Sequence, residues 1–277
     1  MIYKPLVMSN EEYHAKTKYE SSSTVRKVLT SPKKYLYDKT AESVPTKAME
    51  EGTAVHTYFL ENELFKNRYC FKPKAFNGRT KEGKQWMEEH GHLNILAAEW
   101  EENLIHMNHS FLDSPAKIIY DIKGLTELSY FSEDLSGIKA KCRPDWISSD
   151  GHTVVDVKTT QDASPKGFQK SIANFGYHIQ SSFYMRVLQN LDVPVKEFIF
   201  IAIEKTAPFC VGVYRADTEM LEEGNKKVDE AINQILWCKE NDSYPDYTPN
   251  EIESISLPPW MTKKKDQTSS DEEIQLY

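Results

Sequence analysis

Two aspartates and a lysine are the residues of this 277-residue chain whose types and spacing most clearly indicate chemistry. Asp145 precedes Asp156 by eleven residues, and Lys158 follows Asp156 by two. Side chains at i and i+2 of a strand share one face, so a strand over 153–158 points Asp156 and Lys158 the same way. Two carboxylates that hold Mg²⁺ beside a lysine suit phosphodiester hydrolysis, which needs charge neutralisation and an activated water. The alternative is an aspartate that caps a turn, followed by a surface ion pair.

Four further side chains extend this set. His56 lies on a predicted helix between small residues, where its imidazole can complete an oxygen-rich metal shell. Gln180 and Tyr184 are four residues apart on another predicted helix and therefore share a face. Glu127, on a predicted strand before Asp145, offers one more carboxylate. Each of these side chains alone is also compatible with an ordinary helix or strand surface.

Secondary-structure patterns predict the elements that position these residues. Period-two alternation and β-branched runs predict the strands, and N-cap residues with apolar stripes predict the helices. The resulting order indicates an α/β (α+β) fold with a mixed central sheet flanked by helices. We expect one domain over residues 1–260 and a disordered tail over 261–277, which is poor in apolar residues. The predicted strands are 125–131, 138–147, 153–158, 196–204 and 209–214; the predicted helices are 25–29, 32–37, 46–60, 85–111, 166–190 and 217–240, with a basic exposed loop at 66–84.

The net charge of −8 argues at first against a nucleic-acid partner, because phosphate binding favours a basic surface. The charge is unevenly distributed along the chain. Residues 1–84 hold 16 basic and 10 acidic side chains, a balance of +6, whereas residues 217–254 hold 3 basic and 11 acidic ones, a balance of −8. The basic third predicts DNA or 5′-phosphate contacts, with a solvated lysine-rich face as the alternative. The candidate contact residues are Ser23, Arg26, Lys34 and Arg79.

Cysteine usage and hydropathy indicate the compartment. The four cysteines are far apart and form no CxxC pair, so a disulfide scaffold and a zinc knuckle are not expected. No apolar run approaches the roughly 18 residues that a membrane span needs. We therefore expect a cytoplasmic protein with no membrane partner.

Four motifs in this order and spacing resemble those of the PD-(D/E)XK nuclease superfamily. They are GTAVH at 52–56, RPDW at 143–146, DVKTT at 156–160 and QSSFY at 180–184. Within the superfamily, the chain resembles the nuclease domain of RecE-like exonucleases (exodeoxyribonuclease VIII), over roughly residues 8–215. The resemblance implies the restriction-endonuclease-like core of that superfamily.

The same resemblance implies a metal centre. His56, Asp145 and Asp156 would be metal ligands, with the Val157 carbonyl as a further one and Glu127 as an additional carboxylate. The implied cofactor is Mg²⁺ or Mn²⁺, with two ions in each active site.

The resemblance also implies catalytic roles and a biological setting. Lys158 would orient or activate the attacking water, and Gln180 and Tyr184 would complete the site. The implied enzyme is an exodeoxyribonuclease that degrades one strand of duplex DNA ends in the 5′-to-3′ direction. It would leave 3′ overhangs for a RecT-like annealing protein in phage-type recombination.

Such enzymes form rings, so a homo-oligomeric trimer or tetramer encoded by a phage or prophage in a bacterial host is expected. The alternatives are an endonuclease or repair nuclease of the superfamily, or a catalytically silent DNA-binding relative.

Overall fold

A five-stranded mixed sheet is the central element of the computed structural model, which describes residues 4–41, 46–248 and 251–258. The predicted tail at 261–277 lies outside the described residues. The strands are β1 (Tyr69–Phe71), β2 (Asn94–Leu96), β3 (Gly124–Thr126), β4 (Tyr130–Leu135), β5 (Ile138–Cys142), β6 (Trp146–Ser148), β7 (Thr153–Thr160), β8 (Glu197–Glu204) and β9 (Val211–Arg215).

The helices flank this sheet and carry several of the candidate site residues. They are α1 (Asn10–His14), α2 (Ser22–Thr30), α3 (Pro32–Thr40), α4 (Lys47–Leu60), α5 (Asn62–Arg68), α6 (Lys81–His90), α7 (Glu99–Leu112), α8 (Ile118–Asp121), α9 (Pro165–Phe175), α10 (Tyr177–Asn190) and α11 (Thr218–Asn241). Among the described helices, none combines the length and the apolar character needed to cross a membrane.

The central sheet has the order β3-β6-β7-β8-β9. Within this sheet β7 and β8 pair in parallel, and the crossover between these strands carries α9 and α10. The other pairs are antiparallel, so the sheet is mixed, as the sequence predicts. The β4–β5 hairpin and the short β1–β2 pair form separate two-stranded sheets.

Alternating side chains of β8 divide the core into two layers. Phe198, Phe200 and Ala202 join a cluster with residues of α2, α10 and α11, whereas Ile199 and Ile201 join a cluster with residues of α4 and α7. A strand covered on both faces needs a nearly continuous apolar run, which explains the sequence FIFIAI. The α/β fold predicted from the sequence is therefore confirmed.

The helices predicted over 25–29, 32–37 and 46–60 are confirmed as α2, α3 and α4, whereas α1 was not predicted. Ser21 caps α2 with its side chain, Ser31 caps α3 ahead of Pro32, and Thr46 caps α4. Each side-chain oxygen accepts a backbone N–H that the first helical turn leaves without a partner.

Both predicted strands around the hairpin are shorter than expected and are interrupted. The strand predicted over 125–131 breaks at Glu127, whose φ of 52° is left-handed, so β3 and β4 belong to different sheets. The strand predicted over 138–147 breaks at 143–145, where Pro144 has no N–H for a strand ladder. The interruptions bring Glu127 and Asp145 together, since the Glu127 N–H donates to the Asp145 backbone carbonyl at 3.2 Å.

Two long predicted helices are also wrong, because glycines divide them. The helix predicted over 85–111 is α6, β2 and α7, with Gly91 at the end of α6 and 94–96 pairing with β1. The helix predicted over 166–190 is α9 and α10, separated by Gly176 at φ 65°. The predicted basic loop at 66–84 is irregular only over 72–80, because α5, β1 and α6 take up its ends.

Candidate active site

The candidate site lies where strands β6 and β7 separate. Their last paired residues are Trp146 and Val155, and Asp145 precedes Trp146 directly. Beyond this pair, the Val157 N–H donates to Asp145 Oδ2 at 2.6 Å, so a carboxylate replaces the missing strand. The N–H and C=O of one strand residue point to the same side, and the Val157 carbonyl therefore faces the same gap.

His56, Glu127 and Asp145 form a cluster at this gap. Each offers one ligand atom, and these atoms lie within 4.8 Å of one another. His56 Nδ1 lies 3.4 Å from Asp145 Oδ2. Helix α4 holds His56 in place because its neighbours Ala54 and Val55 are buried in the core. One imidazole and two carboxylates are a donor set that suits Mg²⁺ or Mn²⁺.

Burial makes the two carboxylates of this cluster costly in their charged form. Burial is the largest cause that raises the pKa of Asp145, to about 6, and the Asp156 charge adds to it, while His56 opposes it. Burial also raises the pKa of Glu127 to about 8, with repulsion from Asp145 and Glu61 as the next causes. A divalent cation would offset both penalties by supplying the missing opposite charge. The residues of the cluster therefore fit a metal.

Asp156 and Lys158 form an ion pair on β7, beside the cluster. Asp156 is buried, and its Oδ2 accepts a hydrogen bond from Gln180 Nε2 at 2.5 Å, while its Oδ1 contacts the Lys158 ammonium. Burial alone would lower the pKa of Lys158, but the charges of Asp156 and Asp145 outweigh it, and the pKa is raised. Lys158 is therefore a charged ammonium near neutral pH.

Helix α10 brings two candidate residues to the same layer of the fold. Gln180 contacts Asp156 directly, whereas Tyr184, one turn later, packs its ring against Phe198 at a centroid distance of 6.3 Å. Burial raises the pKa of Tyr184 well above its usual range, and the charges of Asp156 and Asp145 add to this shift. Gln180 thus contacts the Asp156 carboxylate directly. Tyr184 lies in the core, close enough for the charges of Asp156 and Asp145 to influence its pKa.

Three of the four predicted DNA-contact residues line one cleft of about 1140 Å³, namely Ser23, Arg26 and Lys34. The Arg26 guanidinium donates to the Ser22 carbonyl at 3.2 Å and to the Phe175 carbonyl, which ties α2 to the end of α9. Arg79 is not part of this cleft. It lies in the irregular segment 72–80, where its N–H donates to Asn77 Oδ1 at 3.0 Å. Their contacts with DNA stay a prediction.

Three residues near the site received no role from the sequence. The centroid of the Tyr177 ring lies 4.9 Å from Lys158 Nζ. The charge of Glu61 raises the pKa of Glu127, whereas the charge of Arg143 lowers it. Arg143 donates to Ser129 Oγ at 2.9 Å. The available signal was position, because Arg143 is in the RPDW motif and Tyr177 comes three residues before Gln180.

Comparisons with known proteins agree with this fold. The sequence matches the family described as "PDDEXK-like domain of unknown function (DUF3799)" over residues 21–257. No curated protein matches the chain. The solved structure of an Eubacterium rectale protein described as "Putative exonuclease" is 16% identical, covers 91% of this chain and 97% of its own, and superposes with a TM-score of 0.63.

Two further solved structures are more distant. LHK-Exo in complex with dAMP is 13% identical, with a TM-score of 0.33, and the match covers 84% of this chain and 98% of that protein. A phage-related exonuclease from Haemophilus somnus 129PT is 13% identical, with a TM-score of 0.33, over 81% of this chain and 96% of that protein.

The family match extends over the cluster, the Asp156–Lys158 pair and both helices that border them. It confirms the superfamily predicted from the four sequence motifs and agrees with the resemblance to RecE-like nucleases. The chain belongs to the PDDEXK-like domain family.

Proposed function

We propose that this protein is a metal-dependent exodeoxyribonuclease that degrades one strand of duplex DNA from its 5′ end and leaves 3′ overhangs. One observation carries the proposal: a cluster of half-buried His56 and Glu127 with buried Asp145 lies beside the Asp156–Lys158 pair at the open edge between two strands. A metal-ligand set next to a charged lysine is what phosphodiester hydrolysis requires. The description of the Eubacterium rectale structure as a "Putative exonuclease" supports the choice of reaction class within the superfamily.

The side chains of the site would have distinct roles in metal binding, in orienting the attacking water and in positioning Asp156. A bound divalent ion would supply Lewis-acid stabilisation of the phosphate charge and would lower the pKa of a water. His56, Glu127 and Asp145 would hold it, and Asp156 with the Val157 carbonyl would serve a second ion. The Lys158 ammonium, oriented by Asp156, would hydrogen-bond the attacking water and stabilise the developing negative charge. Gln180 would fix Asp156 in place through its hydrogen bond.

The proposal includes a biological role. The 3′ overhangs would be handed to a RecT-like annealing protein during phage-type recombination, in the cytoplasm of a bacterial host that carries a phage or prophage. A homo-oligomeric ring of three or four copies would enclose the DNA and make digestion processive. Ser23, Arg26, Lys34 and Arg79 would contact the DNA or its 5′-phosphate.

Digestion of end-labelled DNA tests the reaction and its polarity together. Linear duplex DNA labelled at either the 5′ or the 3′ end is incubated with protein and Mg²⁺ or Mn²⁺. We expect early release of label from 5′ ends, resistance of a covalently closed circle, and complete inhibition by a chelator. Early release from 3′ ends would contradict the polarity, and cleavage of the circle would indicate an endonuclease.

A matched pair of aspartate variants tests the site. Asp156→Asn removes a buried charge at the site, whereas Asp150→Asn changes an exposed aspartate in the turn that precedes β7. We expect Asp156→Asn to lower the digestion rate by about 100-fold or more, as for loss of a group that stabilises the transition state. Asp150→Asn should retain the wild-type rate. Equal rates for wild type and Asp156→Asn would refute the assigned site.

Thermal stability in the presence of metal gives a readout that does not depend on catalysis. A ligand at 100 times its Kd stabilises the folded state by about 2.7 kcal/mol. Mn²⁺ should therefore raise the Tm of the wild type and should raise that of Glu127→Gln less, since this variant lacks one carboxylate of the cluster. An equal rise for both would exclude Glu127 as a ligand.

A further inference from the structure

The cleft of about 1140 Å³ lies between α2, α3 and the junction of α9 with α10. Its volume lies just above the roughly 300–1,000 Å³ of small-molecule pockets. Six lysine or arginine side chains line it against two carboxylates, Asp38 and Glu230. The cleft is therefore a basic region of a chain whose net charge is −8.

Some of these cations are already neutralised. Lys27 pairs with Asp38 at 2.7 Å, and Lys227 pairs with Glu230 at 2.7 Å. Arg26 and Lys34 have no carboxylate partner within 4.0 Å among the residues that the structure describes: Arg26 donates to backbone carbonyls, and Lys34 lies 5.1 Å from the Tyr247 ring. Two cations are thus available to phosphate groups.

Aromatic side chains are exposed in the same cleft. Tyr37, on α3, is 68% exposed, and Phe175, the last residue of α9, is 57% exposed. Phenylalanine is usually buried, and a ring held open beside unneutralised cations is the arrangement that stacks on nucleobases. Bases inside a duplex are covered by their neighbours, so such rings reach unpaired bases.

A row of rings connects the cleft to the candidate active site. The Phe175 ring lies 5.7 Å from the Tyr177 ring, which in turn lies 4.9 Å from Lys158 Nζ. Gly176, between the two aromatic residues, has a φ of 65° and turns the chain sharply at this point. The cleft wall and the wall of the active site are therefore the same chain segment.

From this geometry we infer that the cleft binds an unpaired DNA strand, with Phe175 and Tyr37 as stacking platforms for its bases and with Arg26 and Lys34 on its phosphates. The inference rests on the proposed function for the identity of the polymer. It assigns Phe175 the task of holding a base of the strand that leads to Lys158.

Strand binding is measured in a chelator, so that hydrolysis has no influence. The probe is a fluorescent single-stranded oligonucleotide of about twelve nucleotides with 2-aminopurine at successive positions, because this base is quenched when it stacks. We expect binding with quenching at one or two adjacent positions. Phe175→Ala should lose this quenching and weaken binding at least about fivefold, the loss of one stacked base. Tyr37→Ala should weaken binding in the same way.

One control variant and one variant of the phosphate contacts complete the test. Trp237→Ala removes a ring that is 48% exposed on α11 and outside the cleft, and it should bind like the wild type. The double variant Arg26→Gln, Lys34→Gln should reduce the slope of log K against log salt by about 1.4, since each single-strand phosphate contact contributes about 0.7.

The outcomes separate this inference from the proposed function. Wild-type affinity of Phe175→Ala for the strand, or an equal loss of affinity for blunt duplex, would overturn the stacking role. Absence of strand binding by the wild type would overturn the inference even where metal-dependent digestion occurs. Conversely, Phe175-dependent strand binding without any digestion would refute the proposed nuclease and leave the binding cleft established.

Discussion

A fully buried carboxylate, Glu20, joins three elements of the fold. Its Oε1 accepts hydrogen bonds from Tyr35 Oη at 2.8 Å, Lys39 Nζ at 2.8 Å and Lys239 Nζ at 2.9 Å. Burial would raise the pKa of this carboxyl, but the Lys39 and Lys239 ammonium groups outweigh burial and lower it. Glu20 is therefore charged near neutral pH and connects its own segment to α3 and α11.

Glu20→Gln removes this charge and keeps the size of the side chain. Removal of one partner from a buried ion pair costs roughly 3–5 kcal/mol, because the remaining charge stays buried without compensation. We expect a value near the lower limit, roughly 3 kcal/mol, since Gln can still accept from Tyr35 and since Lys239 keeps access to water with 44% of its side chain exposed. Lys239→Gln, the control, should cost less than about 1 kcal/mol, as for exposed ion pairs.

The free energy of unfolding in urea, measured at several pH values, is the assay. The folded-state pKa of Glu20 lies below its ordinary value of 4.5, so its contribution to stability is complete above pH 4.5 and is lost as pH falls through the folded-state value. Wild type and Glu20→Gln should differ fully at pH 7 and converge in acid. A difference below about 0.5 kcal/mol at pH 7, the range of ordinary surface substitutions, or one that persists unchanged in acid, would refute this reasoning.

Three more predictions follow from other parts of the molecule. Phe111→Ala should lower the free energy of unfolding by roughly 3–5 kcal/mol in a urea titration, because its ring is fully buried, whereas Leu112→Ala on the exposed side of α7 should cost about 0.5 kcal/mol or less. Gly176→Ala should cost about 1–2 kcal/mol, since φ is 65° there, and should weaken strand binding, because the new Cβ would lie 2.8 Å from Arg26 Cδ. Replacement of the exposed acids within 217–254 by Gln should leave digestion of short duplexes unchanged and alter the binding of a basic partner; loss of digestion would contradict the separation of this segment from the site.

The sequence was sufficient to predict the fold class and the helices that begin with strong caps. Ser21 and Thr46 mark helix starts through local hydrogen bonds, and Pro32 marks one through its fixed backbone angle, so these signals depend on few residues. The strand over 153–158 was also predictable, because its run of β-branched residues favours a strand over a helix. Asp156 and Lys158 were therefore correctly expected on one face, and their contact is present.

The interruptions of strands and helices were not predictable from local patterns. The alternation of 125–131 continues through Glu127, and only the tertiary structure requires the left-handed backbone at that residue. Gly91 and Gly176 were available as signals for helix ends, but an isolated glycine within a helical pattern is often tolerated. The membership of Glu127 in the cluster depends on this break, so periodicity alone could not indicate it.

The candidate site and the irregular backbone have one physical origin. A regular ladder between β6 and β7 would occupy the Val157 N–H with a backbone carbonyl, whereas the early end of β6 leaves it to Asp145. The left-handed backbone of Glu127 costs roughly 1–2 kcal/mol and directs its carboxylate to the same gap, where burial opposes its charge. A sequence selected for stability alone would remove both the left-handed backbone and the buried carboxylate of Glu127. Their retention next to the Asp156–Lys158 pair is understandable when the gap has to hold a cation and a phosphate.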